Sequence, residues 1–208
     1  HFWDFGGQEI MHATHQFFLT KRSLYILVLD SRLDEQENRM DYWLKIVQGF
    51  GGDSPVLVSI NKIDENPGYD VNRKFLKKKY PNIRDFYRIS CKNGDGIPQF
   101  SEDLVKELSA VDLIHTTWPR SWFNVKTRME AMKKNKKDFI RYEEYKAICE
   151  EENIEDKTAQ DTLVEFLNDL GVVLHFKDFQ LNQTHVLEPE WVTTAVYKII
   201  NSKTVANN

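Results

Sequence analysis

The sequence predicts an α/β region followed by a helix-rich α+β module, and three features carry that prediction. Residues 25–29 (YILVL) and 56–60 (VLVSI) are short runs apolar on both faces, which suit strands of a parallel sheet buried on both faces. The stretches between and after them place apolar residues at helical spacing, so strand and helix alternate as in right-handed crossovers. Beyond Thr116-Thr117-Trp118-Pro119-Arg120 that alternation stops and helical periodicity dominates. A chain of 208 residues has room for one large domain or two small ones.

Taken in order, the strand at 25–29 leads to a helix at 35–48, with Met40, Trp43, Leu44 and Val47 on one face. The strand at 56–60 is followed by a short helix at 71–80, a strand at 86–90 and a longer helix at 97–113. Pro119 biases Trp118 toward extended backbone, and the expected domains are 1–117 and 118–208. After Ser121, one helix carries Val125, Met129 and Met132 on a single face, and the next carries Tyr142, Tyr145, Ile148 and Cys149. A third, at 158–170, turns Leu163, Phe166, Leu167 and Leu170 inward and stops at Gly171. Two short strands, 172–176 and 184–187, are joined by a polar loop, and Pro189 opens a last helix through Ile200. Helices followed by a two-stranded ribbon resemble a winged-helix module.

Composition narrows the classes of function. The 13 Phe, 8 Tyr and 5 Trp supply bulky core material for a folded protein. A formal charge of −4 disfavours binding driven by neutralisation of nucleic-acid phosphates. The longest apolar run, 24–29, falls far short of the roughly 20 residues of a membrane helix, so no transmembrane segment is expected. The first residues lack the basic head and hydrophobic stretch of a signal peptide. Cys91 and Cys149 are too few for a disulfide framework, and a reducing, cytoplasmic setting is expected.

Three motifs stand at the ends of expected strands. In Trp3-Asp4-Phe5-Gly6-Gly7-Gln8-Glu9, an acidic residue precedes glycines that let backbone approach an anion, since a Cβ at Gly7 would hold a phosphate oxygen away from the N–H. Gln8 offers both a donor and an acceptor, which suits orienting a water; alone, an Asp–Gly–Gly stretch is more often simply a turn. Asn61-Lys62-Ile63-Asp64 follows the strand at 56–60, where open α/β sheets bind ligands. A carboxylate there can accept from N1–H and the exocyclic N2 of guanine, a donor pair that adenine lacks, and sites built on such pairing discriminate by ~10⁴-fold or more. Lys62 can lay its aliphatic stem along a base plane. A polar loop after a strand explains this motif equally well when it is viewed alone. Ser90-Cys91-Lys92-Asn93-Gly94 closes the set, its backbone N–H groups able to meet a base carbonyl. The joint occurrence in this order is what makes chance a poor explanation.

Asp-x-x-Gly-Gln, Asn-Lys-x-Asp and Ser-x-Lys form the late signature set of Ras-like small GTPases, which the chain resembles over its first half. The segment from Met11 to Arg32 (MHATHQFFLTKRSLYILVLDSR), entered through WDFGGQE, resembles the Ras-of-complex-proteins (Roc) domain of the Roco family. The second region, entered through TTWPRSWFNVK, resembles the first part of the COR domain that follows Roc. The resemblance implies part of a P-loop, Ras-like G domain, ahead of a winged-helix-like COR module that supports homodimers. It implies GTP or GDP as ligand and GTPase activity for the intact protein. Gln8 would position the attacking water, Asp4 would hold Mg²⁺ through a water, and Gly6 and Gly7 would lie at the phosphates. Asn61, Lys62 and Asp64 would hold guanine, with Ser90, Cys91 and Lys92 behind it. Cys91 stands where these GTPases usually carry Ala, and Lys92 keeps its type. No Gly-x-x-x-x-Gly-Lys-[Ser/Thr] occurs in these residues; the expectation is a partial G domain that, taken alone, does not bind GTP tightly or hydrolyse it.

His12 and His15 lie three apart, yet no third ligand recurs at metal-site spacing. Cys91 has no His partner in its motif, which argues against a catalytic thiol. The clusters Lys77-Lys78-Lys79 and 133–137 read as solvated helix ends, with an acidic partner as the alternative. DNA recognition through 158–170 is disfavoured by Glu155, Asp156, Asp161, Glu165 and Asp169 against Lys157 alone. A competing class is a non-catalytic scaffold in which the COR part mediates dimerisation or assembly.

Overall fold

Strands β1 (Tyr25–Asp30), β2 (Val56–Asn61) and β3 (Ile83–Arg88) form a parallel sheet in the order β1-β2-β3. The computed structural model describes residues 2–5, 18–110, 117–176 and 183–206. They fall into two compact units, one within Leu19–Thr116 and one that joins Thr117–Asn208 to the described residues before Leu19.

In the first unit, β2 is central and its Val56, Leu57, Val58 and Ile60 are fully buried, because one face meets a helical layer and the other meets another. Val56, Val58 and Ile60 pack with Leu29, α1 (Met40–Gly51) and α2 (Arg73–Lys79). Leu57 packs instead with Tyr87, Ile89 and the inner side of α3 (Ile97–Ser109). Burial on both faces, expected for β1 as well, is incomplete there: among the described residues β1 pairs on one side only, and Val28 is 60% exposed. The helix expected from residue 35 begins at Met40, because Asp34 Oδ1 caps a turn by accepting from the N–H groups of Gln36 and Glu37 (2.8 Å each). Arg39 then takes a left-handed conformation, φ 50°. Asn72 caps α2 by accepting from Phe75 N–H at 3.1 Å. The third strand begins at Ile83, three residues earlier than its sequence suggests.

The second unit is built from α4 (Arg120–Lys134), α5 (Tyr142–Glu151), α6 (Lys157–Asp169) and α7 (Pro189–Ala206) with a small antiparallel sheet. Instead of a two-stranded ribbon, the sheet has three strands, β4 (Phe139–Arg141), β5 (Leu174–His175) and β6 (Thr184–Val186), in the order β4-β6-β5. Val125, Met129, Tyr145, Ile148, Leu163 and Leu167 form its core. Asp156 caps α6, and Gly171 ends it with φ 67°. A second apolar cluster joins Phe18, Leu174, Val186 and Val192, with Trp3 and Phe5 against it. In the basic clusters, Lys77 pairs with Asp85, Lys79 with Asp41, Lys133 with Glu188 and Lys137 with Glu144. No helix among the described residues is long and apolar enough to cross a membrane.

Candidate functional site

Parallel pairing of Asp30 with Asn61 and of Ile60 with Arg88 aligns the carboxyl ends of the three strands, and the loops that leave them meet there. Asn61 joins two loops: its Oδ1 accepts from its neighbour Lys62 N–H (2.7 Å) and from Cys91 N–H (3.1 Å). Lys62 is held in the left-handed region, φ 63°, an uncommon conformation for a residue with a Cβ. Ser31, fully buried, secures it by donating Oγ–H to Lys62 O at 2.8 Å, and Asn66 Nδ2 donates to Ser31 O at 2.8 Å. Arg88, at the end of β3, fixes the far side of this loop by donating to the carbonyls of Pro67 and Tyr69.

Asp64 points its carboxylate toward the third motif. Ser90 Oγ–H donates to Asp64 Oδ1 at 2.5 Å, and Lys92 Nζ stands 3.8 Å from Oδ2. The Asp64 side chain is 14% exposed, and its partners among the described residues include no arginine. The Ser90 hydrogen bond holds the carboxyl below the usual carboxylate range, so the group is charged at neutral pH. Ser90 is itself fully buried; Lys92 and Asn93 N–H approach its Oγ at 3.3 and 3.4 Å, and Gly94 N–H donates to its carbonyl. Cys91 is an exposed free thiol and Lys92 is exposed.

The structure therefore brings Asn61, Lys62, Asp64, Ser90, Cys91 and Lys92 together at one sheet end. Asp4 is an exposed residue between half-buried Trp3 and Phe5. Gly6, Gly7 and Gln8, and also His12 and His15, lie outside the described residues. No group of three His, Cys, Asp or Glu among the described residues could hold a metal ion. Sequence reasoning missed Asp30, whose Oδ2 accepts from Lys62 Nζ at 2.7 Å and from Arg32 Nη2 at 2.8 Å. These donors, Arg32 foremost, hold the Asp30 carboxyl far below the ordinary range despite its partial burial. The available signal was a carboxylate directly after the strand expected at 25–29, as Asn61 directly follows the one expected at 56–60.

Comparison with known proteins identifies the family. A family model described as "Ras of Complex, Roc, domain of DAPkinase" matches residues 1–64, and one described as "C-terminal of Roc, COR-A domain" matches 119–208. The probable serine/threonine-protein kinase roco5 of Dictyostelium discoideum is 32% identical over 214 residues, which cover 97% of this chain and 8% of that protein. A Roc-COR-CHAT protease of Runella zeae is 30% identical over 212 residues, covering 96% of this chain and 22% of the other. The chain thus spans less than a quarter of these relatives. The solved structure of Methanosarcina barkeri Roco2 RocCORdC bound to GDP is 63% identical with a TM-score of 0.91, and the match covers 99% of this chain and 62% of that one. The parallel sheet with its helices fits a Ras-like α/β domain ahead of a helical module, and the chain belongs to the Roco family of G proteins, spanning Roc and COR-A sequence.

Proposed function

We propose that the intact protein binds guanine nucleotides at the carboxyl ends of β2 and β3 and hydrolyses GTP. The observation that carries this reading is Asp64: a carboxylate at the mouth of a parallel sheet, kept charged by Ser90 and paired with no arginine among the described residues. Ser90 uses one lone pair of Oδ1. The remaining acceptor sites face the N1–H and N2–H donors of guanine, whereas adenine would leave them unpaired. Lys62 lies beside the base with its stem, Asn61 ties the two loops, and Cys91 and Lys92 back the base through their main chain. The domains follow as 1–117 for Roc and 118–208 for the start of COR.

Hydrolysis consists of water attack on the γ-phosphorus, cleavage of its bond to the β–γ bridging oxygen, and release of phosphate and GDP. Gln8 orients that water, and Gly6 and Gly7 bring backbone N–H groups to the phosphates. Mg²⁺ bound with the nucleotide would supply charge neutralisation at the phosphates. Asp4 would hold it as an oxygen donor acting through a water. The COR module would support a cytoplasmic homodimer.

The test is nucleotide competition on the full-length protein. Asp64→Asn is expected to weaken GDP by on the order of 10²-fold or more relative to xanthosine diphosphate, because an amide N–H then opposes the exocyclic N2–H of guanine and pairs instead with the C2 carbonyl of xanthine. An unchanged GDP-to-XDP ratio removes Asp64, and with it this reading.

A further inference from the structure

We propose that Asp30 is a positioning residue for guanine-nucleotide binding, acting through Lys62; this inference rests on the nucleotide reading above. The two residues are 32 apart in sequence and meet because the parallel register sets Asp30 beside Asn61. Asp30 is immobilised at every polar group. Its N–H donates to Asn38 Oδ1 (2.8 Å), and its carbonyl accepts from Asn38 Nδ2 (3.0 Å). Its Oδ1 accepts from both the N–H and Nε of Arg32 (3.0 Å each), and its Oδ2 from Arg32 Nη2. Arg32 is in turn steadied by Glu65 at 3.4 Å.

Lys62 is anchored at both ends. Its backbone is locked at φ 63° with its carbonyl on Ser31, and its ammonium sits on Asp30 Oδ2. A lysine stem carries four carbons and considerable rotamer freedom, and the Lys62 side chain is 37% exposed. Untethered, it would sample many directions. Tied to Asp30, the stem is stretched between two fixed points and offers an apolar flank beside Asp64, so the base meets a preformed surface. Asp30 touches neither base nor phosphate in this account.

The experiment is a double-mutant cycle on the full-length protein, reading the dissociation constant of a fluorescent GDP analogue at low and high salt. Asp30→Asn is expected to weaken binding about three- to fivefold, with the gap narrowing as salt rises. Lys62→Met keeps the stem and removes the ammonium; in that background Asp30→Asn is expected to have no further effect. An Asp30→Asn penalty of equal size in both backgrounds, or none in the wild type, overturns the proposal. Asp64→Asn in the same assay separates the two levels. If it too leaves GDP binding unchanged, the nucleotide reading fails; if it weakens GDP while Asp30→Asn does not, only the role of Asp30 falls.

Discussion

His185 on β6 is fully buried beside the rings of Tyr145 and Tyr142, at centroid distances of 5.0 and 6.2 Å. Its Nδ1 lies 3.2 Å from Nδ1 of His175, so one ring donates and the other accepts, while its Nε2 has no hydrogen-bond partner among the described residues. Leaving a lone pair unpaired at Nε2 is less costly than burying an unpaired N–H, which favours Nδ1–H of His185 as the donor. Burial, with His175 adding to it, lowers the His185 pKa from 6.5 to about 4. Between those values the unfolded chain holds a proton that the folded chain refuses, so stability falls as pH drops through that window and is complete above it. The second unit is expected to lose up to about 3 kcal/mol over this range, read as the denaturation midpoint against pH; a His185→Phe variant should flatten that slope. The histidines weighed from sequence were His12 and His15, because spacing along the chain is visible there. The pair that meets in the fold is ten residues apart and is joined by β5–β6 pairing.

Among the elements, α3 depends on its first turn. Gly96 precedes it with φ 71°, and a Cβ there would collide with the carbonyl oxygen of Arg88. Left-handed strain and a backbone clash add, so Gly96→Ala is expected to destabilise the first unit by about 2 kcal/mol or more. Guanidinium melts are the measurement, and a change under about 0.5 kcal/mol would show that the turn relaxes freely. Element boundaries divide along the same physical line. The strand β2 was legible because five apolar or small residues run unbroken into Asn61. By contrast, β4 was invisible: Phe139-Ile140-Arg141 is too short for a period, and its partner β6 lies more than forty residues on. The start of α1 was misplaced because apolar spacing does not reveal that Asp34 has already committed residues 36 and 37 to a turn.

On the scale of the whole molecule, the residues around the first motif belong to the same compact unit as the COR-A region. Trp3 lies 5.1 Å from the ring of Phe18, and a side chain at Gly171 would strike its Nε1. Phe5 joins the same cluster with Leu174, Val186 and Val192. Trp3→Ala is expected to destabilise that unit by about 1–3 kcal/mol, since the ring is partly buried. In hydrogen exchange, β6 and α7 should lose protection while β2 keeps its own. Equal loss in β2 would show that the cores of the two units are not independent.

Local chemistry in the chain alone determined the α/β-then-helical order and the place of the second and third motifs at strand ends, because apolar runs, helical spacing and turn residues act over a few neighbours. Family membership was legible for the same reason. Tertiary structure alone decided that Ser90 holds Asp64, that Asp30 holds Lys62 and that His175 meets His185. Each pair is separated by ten to thirty-two residues, and only strand register, a property of the assembled sheet, brings its members within hydrogen-bonding distance.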